Sequence, residues 1–397
     1  MPLSPTTTVL YVAVMDEDGI HGYGTISPTR IGLLIDYPCN PATTSDTVDS
    51  LRLVFDEALE SGLVDRPIEL VAREVLGLPN GRYKVVQNAY DELVDEGCLA
   101  IFGPYVSDNV VPLSAHVERT ADVAIITLAG SEGALGEWCF ALNNGSMAEE
   151  PIMLAAILRL DGQSRIAIAH ETSLIGKEYL GYVERAFEEA GLQIVGSVGI
   201  PQVETDKVEA VSALRATNPD ALVHVGFGHG LWGFNDALAN AGWNPPRYTT
   251  TAFELAHIDP TWMVQLAGWI GLDSYDERNA VGQDFLDRFH ARFGRRPNYF
   301  MPGLCHDVAT VLTRALGGAR PLTGPGVKTA LEGVKFVPAA SGAPGTCLQF
   351  GRYNRQGWMG VDYLVARRVL PDASAHVFHA APSSGLARLS ETATARA

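Results

Sequence analysis

The sequence predicts an α/β protein of parallel, doubly wound sheet, in two units similar in plan that fit two like lobes. Three observations carry that expectation. From residue 165 to 223 the chain alternates strand, helix, strand, helix, strand: RIAIAH, SLIGKEYLGYVERAFEEAG, LQIVGSVGIP, KVEAVSALRATN and DALVHVG. That order belongs to parallel sheets joined by helical crossovers. Residues 30–127 follow a similar plan, opening on RIGLLI, an unbroken apolar run of the kind buried parallel strands show. A length of 397 residues also exceeds one ordinary domain.

The elements follow in order. After the opening strand, the loop from Asp36 to Ser45 carries Pro38, Asn40 and Pro41. Asp46 opens a helix whose apolar positions Val48, Leu51, Val54, Phe55, Ala58 and Leu59 fall at helical spacing, and Gly62 ends it. Next come a strand over 68–73, a helix over about 82–96, and a strand over 99–102 that leads into Gly103-Pro104-Tyr105. A helix over 110–119 and a strand over 123–127 lead to the small-residue loop Leu128-Ala129-Gly130-Ser131. The second unit starts near Met147; a third βα series over 248–337 holds helices at 282–293 and 305–316. Residues 346–370 read as a hairpin of CLQFG and VDYLVARRV around Asn354-Arg355-Gln356-Gly357. Residues 1–29 read as a peripheral extension, and the Ala- and Ser-rich 371–397 as a disordered tail.

Composition narrows the function classes. With 47% hydrophobic and 19% charged residues the chain can bury a large core. The net charge is −17, and no basic cluster is longer than Arg295-Arg296 or Arg367-Arg368. Nucleic acid is therefore not an expected partner, because phosphate binding needs a concentrated basic face. No apolar run approaches the roughly 18 residues of a membrane helix, so direct membrane insertion is not expected. The first 29 residues lack Lys and Arg, and their apolar stretch 9–15 ends at Asp16-Glu17-Asp18. A secretory leader needs a basic start, a longer apolar segment and a small-residue cleavage site. Either the chain is cytoplasmic or its export signal lies outside this sequence. Cys39, Cys98, Cys139, Cys305 and Cys347 are odd in number and show no CxxC, which suits buried free thiols and at most one disulfide.

No catalytic constellation is visible, and no cofactor or metal is expected. Asp206 and Asn218-Pro219-Asp220 mark loops. Gly226-Phe227-Gly228-His229-Gly230 resembles a dinucleotide loop, but its third glycine would fall on Leu231 and this is not the first βα turn. A flexible turn at the cleft is the plainer reading. His224 and His229 lack ligand partners at metal spacing. Ser131 lies in GSEG rather than GxSxG, so a ligand contact or helix cap is favoured over a nucleophile. Trp262 and Trp269 are expected to pack.

Four segments together carry a family resemblance. They are RIGLLIDYP; IFGPYVSDNVVPLSAHVERTADVAIITLAGSEG; IGKEYLGYVERAFEEAGLQIVG followed by ETDKVEAVSALRATNPDALV; and FGRRPNYFMPGLCHDVATVLTRAL. In this order and spacing the chain, over residues 30–370, resembles the type I periplasmic-binding-protein fold, in the leucine/isoleucine/valine-binding branch of ABC-transporter substrate-binding proteins. The resemblance implies two Rossmann-like lobes joined by a three-crossing hinge near residues 143–147, 271–276 and 335–339. Lobe 1 would span 30–145 with 274–335, and lobe 2 would span 146–273 with 336–370. Ligand would sit beyond the carboxyl ends of the strands, where helix N-termini and loop amides point.

By position, Ser107 stands where the family uses a hydroxyl for a ligand carboxylate. Ala129, Gly130 and Ser131 stand on the loop that supplies backbone and hydroxyl groups. Ile175 replaces a Tyr of amino-acid binders. Glu254 lies near the place of their ammonium-holding Glu. Tyr37, Tyr105, Phe227, Trp232 and Phe253 lie on the candidate cleft loops. An apolar or aromatic carboxylate or amide is therefore expected ahead of a free amino acid. The function implied is ligand capture for an ABC permease, without catalysis. The alternatives are a cytoplasmic sensor of the same fold, like the amide-sensing negative regulators, and an enzyme on a doubly wound sheet.

Overall fold

The computed structural model describes residues 10–16, 19–37, 41–143, 145–201, 206–250, 261–297, 301–358 and 363–379. Strands β1 (Leu10–Asp16) and β2 (Gly19–Ile26) form an antiparallel ribbon, so the N-terminal extension carries structure of its own. The first lobe is a five-stranded parallel sheet of β3 (Thr29–Ile35), β4 (Ile68–Glu74), β5 (Ala100–Phe102), β6 (Ala124–Thr127) and β7 (Cys139–Ala141). Its order is β4-β3-β5-β6-β7. Helices α1 (Pro41–Glu60), α2 (Tyr83–Asp95) and α3 (Ser107–Thr120) connect it. Helices α1 and α3 begin ahead of the positions expected from periodicity, Asp46 and residue 110.

In the second lobe, α4 (Glu150–Leu160) precedes β8 (Arg165–Glu171), α5 (Leu174–Glu189), β9 (Gln193–Ile200) and α6 (Val208–Ala216). Then come β10 (Ala221–Val225), α7 (Phe234–Asn240), β11 (Arg247–Thr249), α8 (Trp262–Gln265) and β12 (Trp269–Asp273). The parallel part of this sheet runs β9-β8-β10-β11-β12, repeating the strand order of the first lobe. In both lobes the order reverses beside the first strand, so the switch point falls between β3 and β5 and between β8 and β10. The chain then returns to the first lobe through α9 (Ala280–Phe293), α10 (Met301–Gly318) and α11 (Gly324–Glu332). Helix α10 packs on α1, and α11 lies against β5 and β6.

The C-terminal third departs from expectation twice. Strand β13 (Val337–Pro338) pairs with β14 (Cys347–Leu348), and Leu348 bridges Trp358, so the 354–357 turn closes only a short hairpin. The second half of the expected hairpin, β15 (Val365–Val369), instead joins β12 in the second sheet. Beyond it, β16 (Ala375–His379) pairs with β15, inside the segment assigned by composition to a tail. The turn that allows this is local. The Asp372 carboxylate accepts the Ser374 amide and hydroxyl, and Ala373 adopts a φ of 64°. Composition measures average polarity, whereas an open strand edge recruits whatever backbone reaches it.

Two buried side chains fix the return between lobes. The Asp307 carboxylate on α10 accepts the amides of Ala340 (2.7 Å) and Ser341 (3.0 Å) and the Ser341 hydroxyl (2.5 Å). The Asn279 amide group points at four carbonyls, those of residues 339–342, at 3.0–3.2 Å. One apolar cluster runs through the lobe junction, including Phe102, Tyr105, Leu128, Met147, Ile175 and Tyr179. Cys98, Cys139 and Cys347 are free thiols and Cys305 is buried, while Cys39 lies outside the described residues. Burial pushes the Cys98 and Cys139 thiols up to about 12, which leaves them inert.

Candidate ligand cleft between the lobes

The first-lobe face of the junction is organised by a residue just past β3. Asp36 is fully buried, and its carboxylate accepts the amides of Tyr105 (2.8 Å) and Val106 (3.2 Å) and the side-chain amide of Asn109 (2.7 Å). These donors stand at the start of α3, where orphan amides favour an anion. A neighbouring strand thus caps the helix, which lets it begin at Ser107. Burial drives the Asp36 carboxyl up to about 6, against the pull of those hydrogen bonds.

Ser107 is thereby released from capping. It is 1% exposed, and its hydroxyl has no hydrogen-bond partner among the described residues. Asn143, just past β7, is also fully buried, with neither amide atom partnered among the described residues. Buried polar groups are nearly always satisfied, so such atoms mark places where a ligand or water completes the structure.

The loop after β6 is held from below. The Thr127 hydroxyl donates to Pro104 O (2.5 Å) and accepts the Ala129 amide (3.0 Å). A Cβ at Gly130 would lie 1.8 Å from Gly145 O, so only glycine fits there. Ser131 is fully buried; its hydroxyl accepts the Gly133 amide (3.1 Å), capping a short 3-10 turn over Glu132–Ala134. The same hydroxyl donates to Glu178 Oε2 on α5 (2.6 Å), and the Glu132 amide donates to Glu178 Oε1 (3.2 Å).

From the second lobe, Ile175 sits 3% exposed in the first turn of α5, and its amide donates to the Asp108 carboxylate. Burial raises the Asp108 and Glu132 carboxyls, and Glu178 pushes both further in the same direction. Phe227 is half-buried against the junction cluster. The Tyr105 ring, 7% exposed, lies 5.1 Å from that of Phe102, and Tyr37 is half-buried beyond β3. Phe253 and Glu254 lie outside the described residues. Trp232 stacks edge-on against Trp262 at 4.9 Å, and Trp269 is buried against Phe234.

The glycine-rich loop has a structural occupant. Glu171, fully buried at the end of β8, accepts the amides of Phe227 (3.3 Å), Gly228 (3.1 Å) and Gly230 (3.0 Å). The amide nest that suggested a phosphate therefore holds an internal carboxylate. His224 Nε2 lies 3.6 Å from Glu171 Oε1, and its Nδ1 lies 3.0 Å from the Thr249 hydroxyl. The His229 side chain is outside the described residues. No group of three or more His, Cys, Asp or Glu able to hold a metal occurs among the described residues. No helix among them is long and apolar enough to cross a membrane.

The structure thus brings Ser131 and Ile175 together with side chains the sequence did not single out: Asp36, Asp108, Asn143, Glu171 and Glu178. Asp36 and Glu171 did carry a signal, an acidic residue ending an apolar first strand. Glu178 carried none, because its role depends on which loop faces α5.

Residues 28–361 match the family model described as periplasmic binding protein. Among solved structures, a periplasmic binding protein type 1 from Bordetella pertussis superposes with a TM-score of 0.73 at 16% identity, covering 89% of this chain and 100% of that one. A leucine binding protein from Thermotoga maritima gives 0.73 at 15% identity, with 90% and 99% coverage. A branched-chain amino acid transporter substrate binding protein from Streptococcus pneumoniae, in complex with isoleucine, gives 0.72 at 16% identity, with 89% and 100% coverage. A search of curated proteins finds no match.

Proposed function

The chain belongs to the periplasmic binding protein family, and from that premise we propose that it serves an ABC importer as its substrate-binding protein. It would close its lobes on a small organic molecule with an apolar or aromatic body and one polar end, and pass it to a permease without chemistry. The observation that carries this reading is Ser107, a buried hydroxyl at the start of α3 with no partner among the described residues. Tyr105, Ile175 and Phe227 offer apolar surface at the same junction. A pocket of this kind, mostly apolar with a few placed polar groups, suits a small ligand.

A free α-amino acid fits less well. Ile175 offers an apolar side chain, and the carboxylate of an amino acid would meet Asp108, Glu132 and Glu178 at the same junction. The test is a thermal-shift screen of amides, aromatic acids and amino acids, followed by calorimetry. A ligand at 100 times its Kd should stabilise the native state by about 2.7 kcal/mol. Submicromolar binding of leucine or valine would overturn the ligand class. Absence of binding across the whole panel would count against a binding role.

A further inference from the structure

We propose that Glu178 is a built-in occupant of the anion subsite on the first lobe, and that it makes the cleft select uncharged ligands over the matching carboxylates. The inference rests on reading the lobe junction as the ligand cleft. The Glu178 carboxylate forks onto two donors, the Ser131 hydroxyl at 2.6 Å and the Glu132 amide at 3.2 Å. A ligand carboxylate reaching this loop would need that same pair. The Ser131 hydroxyl has one proton to give and Glu178 takes it, so its donor capacity is used.

Glu178 is also held firmly in place. Ser173 caps α5 by accepting the Gly176 amide at 3.0 Å, and the fully buried Tyr179, next in the helix, donates to the Glu150 carboxylate. No Lys or Arg is hydrogen-bonded or ion-paired to Glu178, Glu132 or Asp108 among the described residues. A second anion entering here would be repelled by these carboxylates. An amide or alcohol brings a donor to them and offers its oxygen to Ser107, without the charge. The contact is also a latch, since Glu178 belongs to one lobe and Ser131 and Glu132 to the other.

Two readouts test this, on wild type, Glu178→Gln and Glu178→Ala. The first needs no ligand: the radius of gyration by X-ray scattering should be larger for Glu178→Ala than for wild type. The second compares benzamide with benzoate, and isovaleramide with isovalerate, by calorimetry. Glu178→Ala should bind the carboxylates at least 10-fold more tightly than wild type does, with the amides changed less than 3-fold, and Glu178→Gln should fall between. Equal compaction of the ligand-free proteins overturns the latch. A variant that gains affinity for neither carboxylate overturns the selectivity. Wild type binding neither amide, nor any compound of the broader screen, would instead strike the binding role itself, and the scattering arm would still judge the latch.

Discussion

A hydroxyl that is buried and unbonded, as that of Ser107 is, costs the fold free energy unless something arrives to satisfy it. This gives opposite signs for two measurements on one variant. Ser107→Ala should leave stability unchanged or slightly raised in chemical denaturation, and should weaken ligand binding by about 0.5–1.5 kcal/mol, the worth of a hydrogen bond between uncharged groups. Lost stability together with unchanged affinity would make Ser107 a structural residue. Asp36 makes a second prediction. Its folded value of about 6 lies above the ordinary 3.8, so folding favours its protonated form. The associated stability is complete below about pH 4 and is lost as pH rises through 6. Relative to Asp36→Asn, wild type should lose roughly 2 kcal/mol between pH 4 and pH 7, read from urea midpoints across that range. A flat difference would show that the carboxyl is not raised. Sequence marked Ser107 by its position before a helix, but it could not show that Asp36 takes over the cap.

At the scale of elements, each lobe repeats one device at its switch point. A buried carboxylate at the end of the first strand grips the amides that follow the third: Asp36 holds 105–106, and Glu171 holds 227, 228 and 230. The glycines of the second loop are needed at close quarters. A Cβ at Gly226, whose φ is +155°, would lie 2.4 Å from Glu171 Cδ. Glu171→Ala strips three amides of their acceptor and should destabilise the protein by about 3 kcal/mol. Hydrogen exchange should quicken at Phe227, Gly228 and Gly230, and Gly226→Ala should do the same by displacing the carboxylate. Protection unchanged at those three amides would refute the arrangement. The strand–helix alternation was plain in the sequence because apolar period is local. The purpose of Gly226-Phe227-Gly228 was not, because its partner lies more than fifty residues away on β8.

Across the whole molecule, the return from α11 into the second lobe depends on a few buried polar groups. Asp307 supplies three acceptor contacts to residues 340–341, and Asn279 points at the carbonyls of 339–342. Asp307→Ala leaves two buried amides unpaired and should cost about 2–4 kcal/mol in urea denaturation. The exchange of Ala340 and Ser341 should rise selectively, while the protection of β8 holds. Uniform loss of protection throughout the chain would mean that Asp307 supports the global fold rather than this connection.

The order of elements, their parallel pairing in two similar units and the family were all determined by the sequence alone. Apolar runs such as RIGLLI and the helical spacing along α1 need only their own neighbours to be recognised. Tertiary structure decided the rest. It sent β15 to β12 rather than to β14, and it drew β16 out of an Ala- and Ser-rich segment onto an open edge. It aimed Glu178 at Ser131 across the junction and left Ser107 unpartnered among the described residues. These outcomes turn on which donor meets which acceptor once separate elements pack. Such pairings are set by distances in space, and no local period in the chain encodes them.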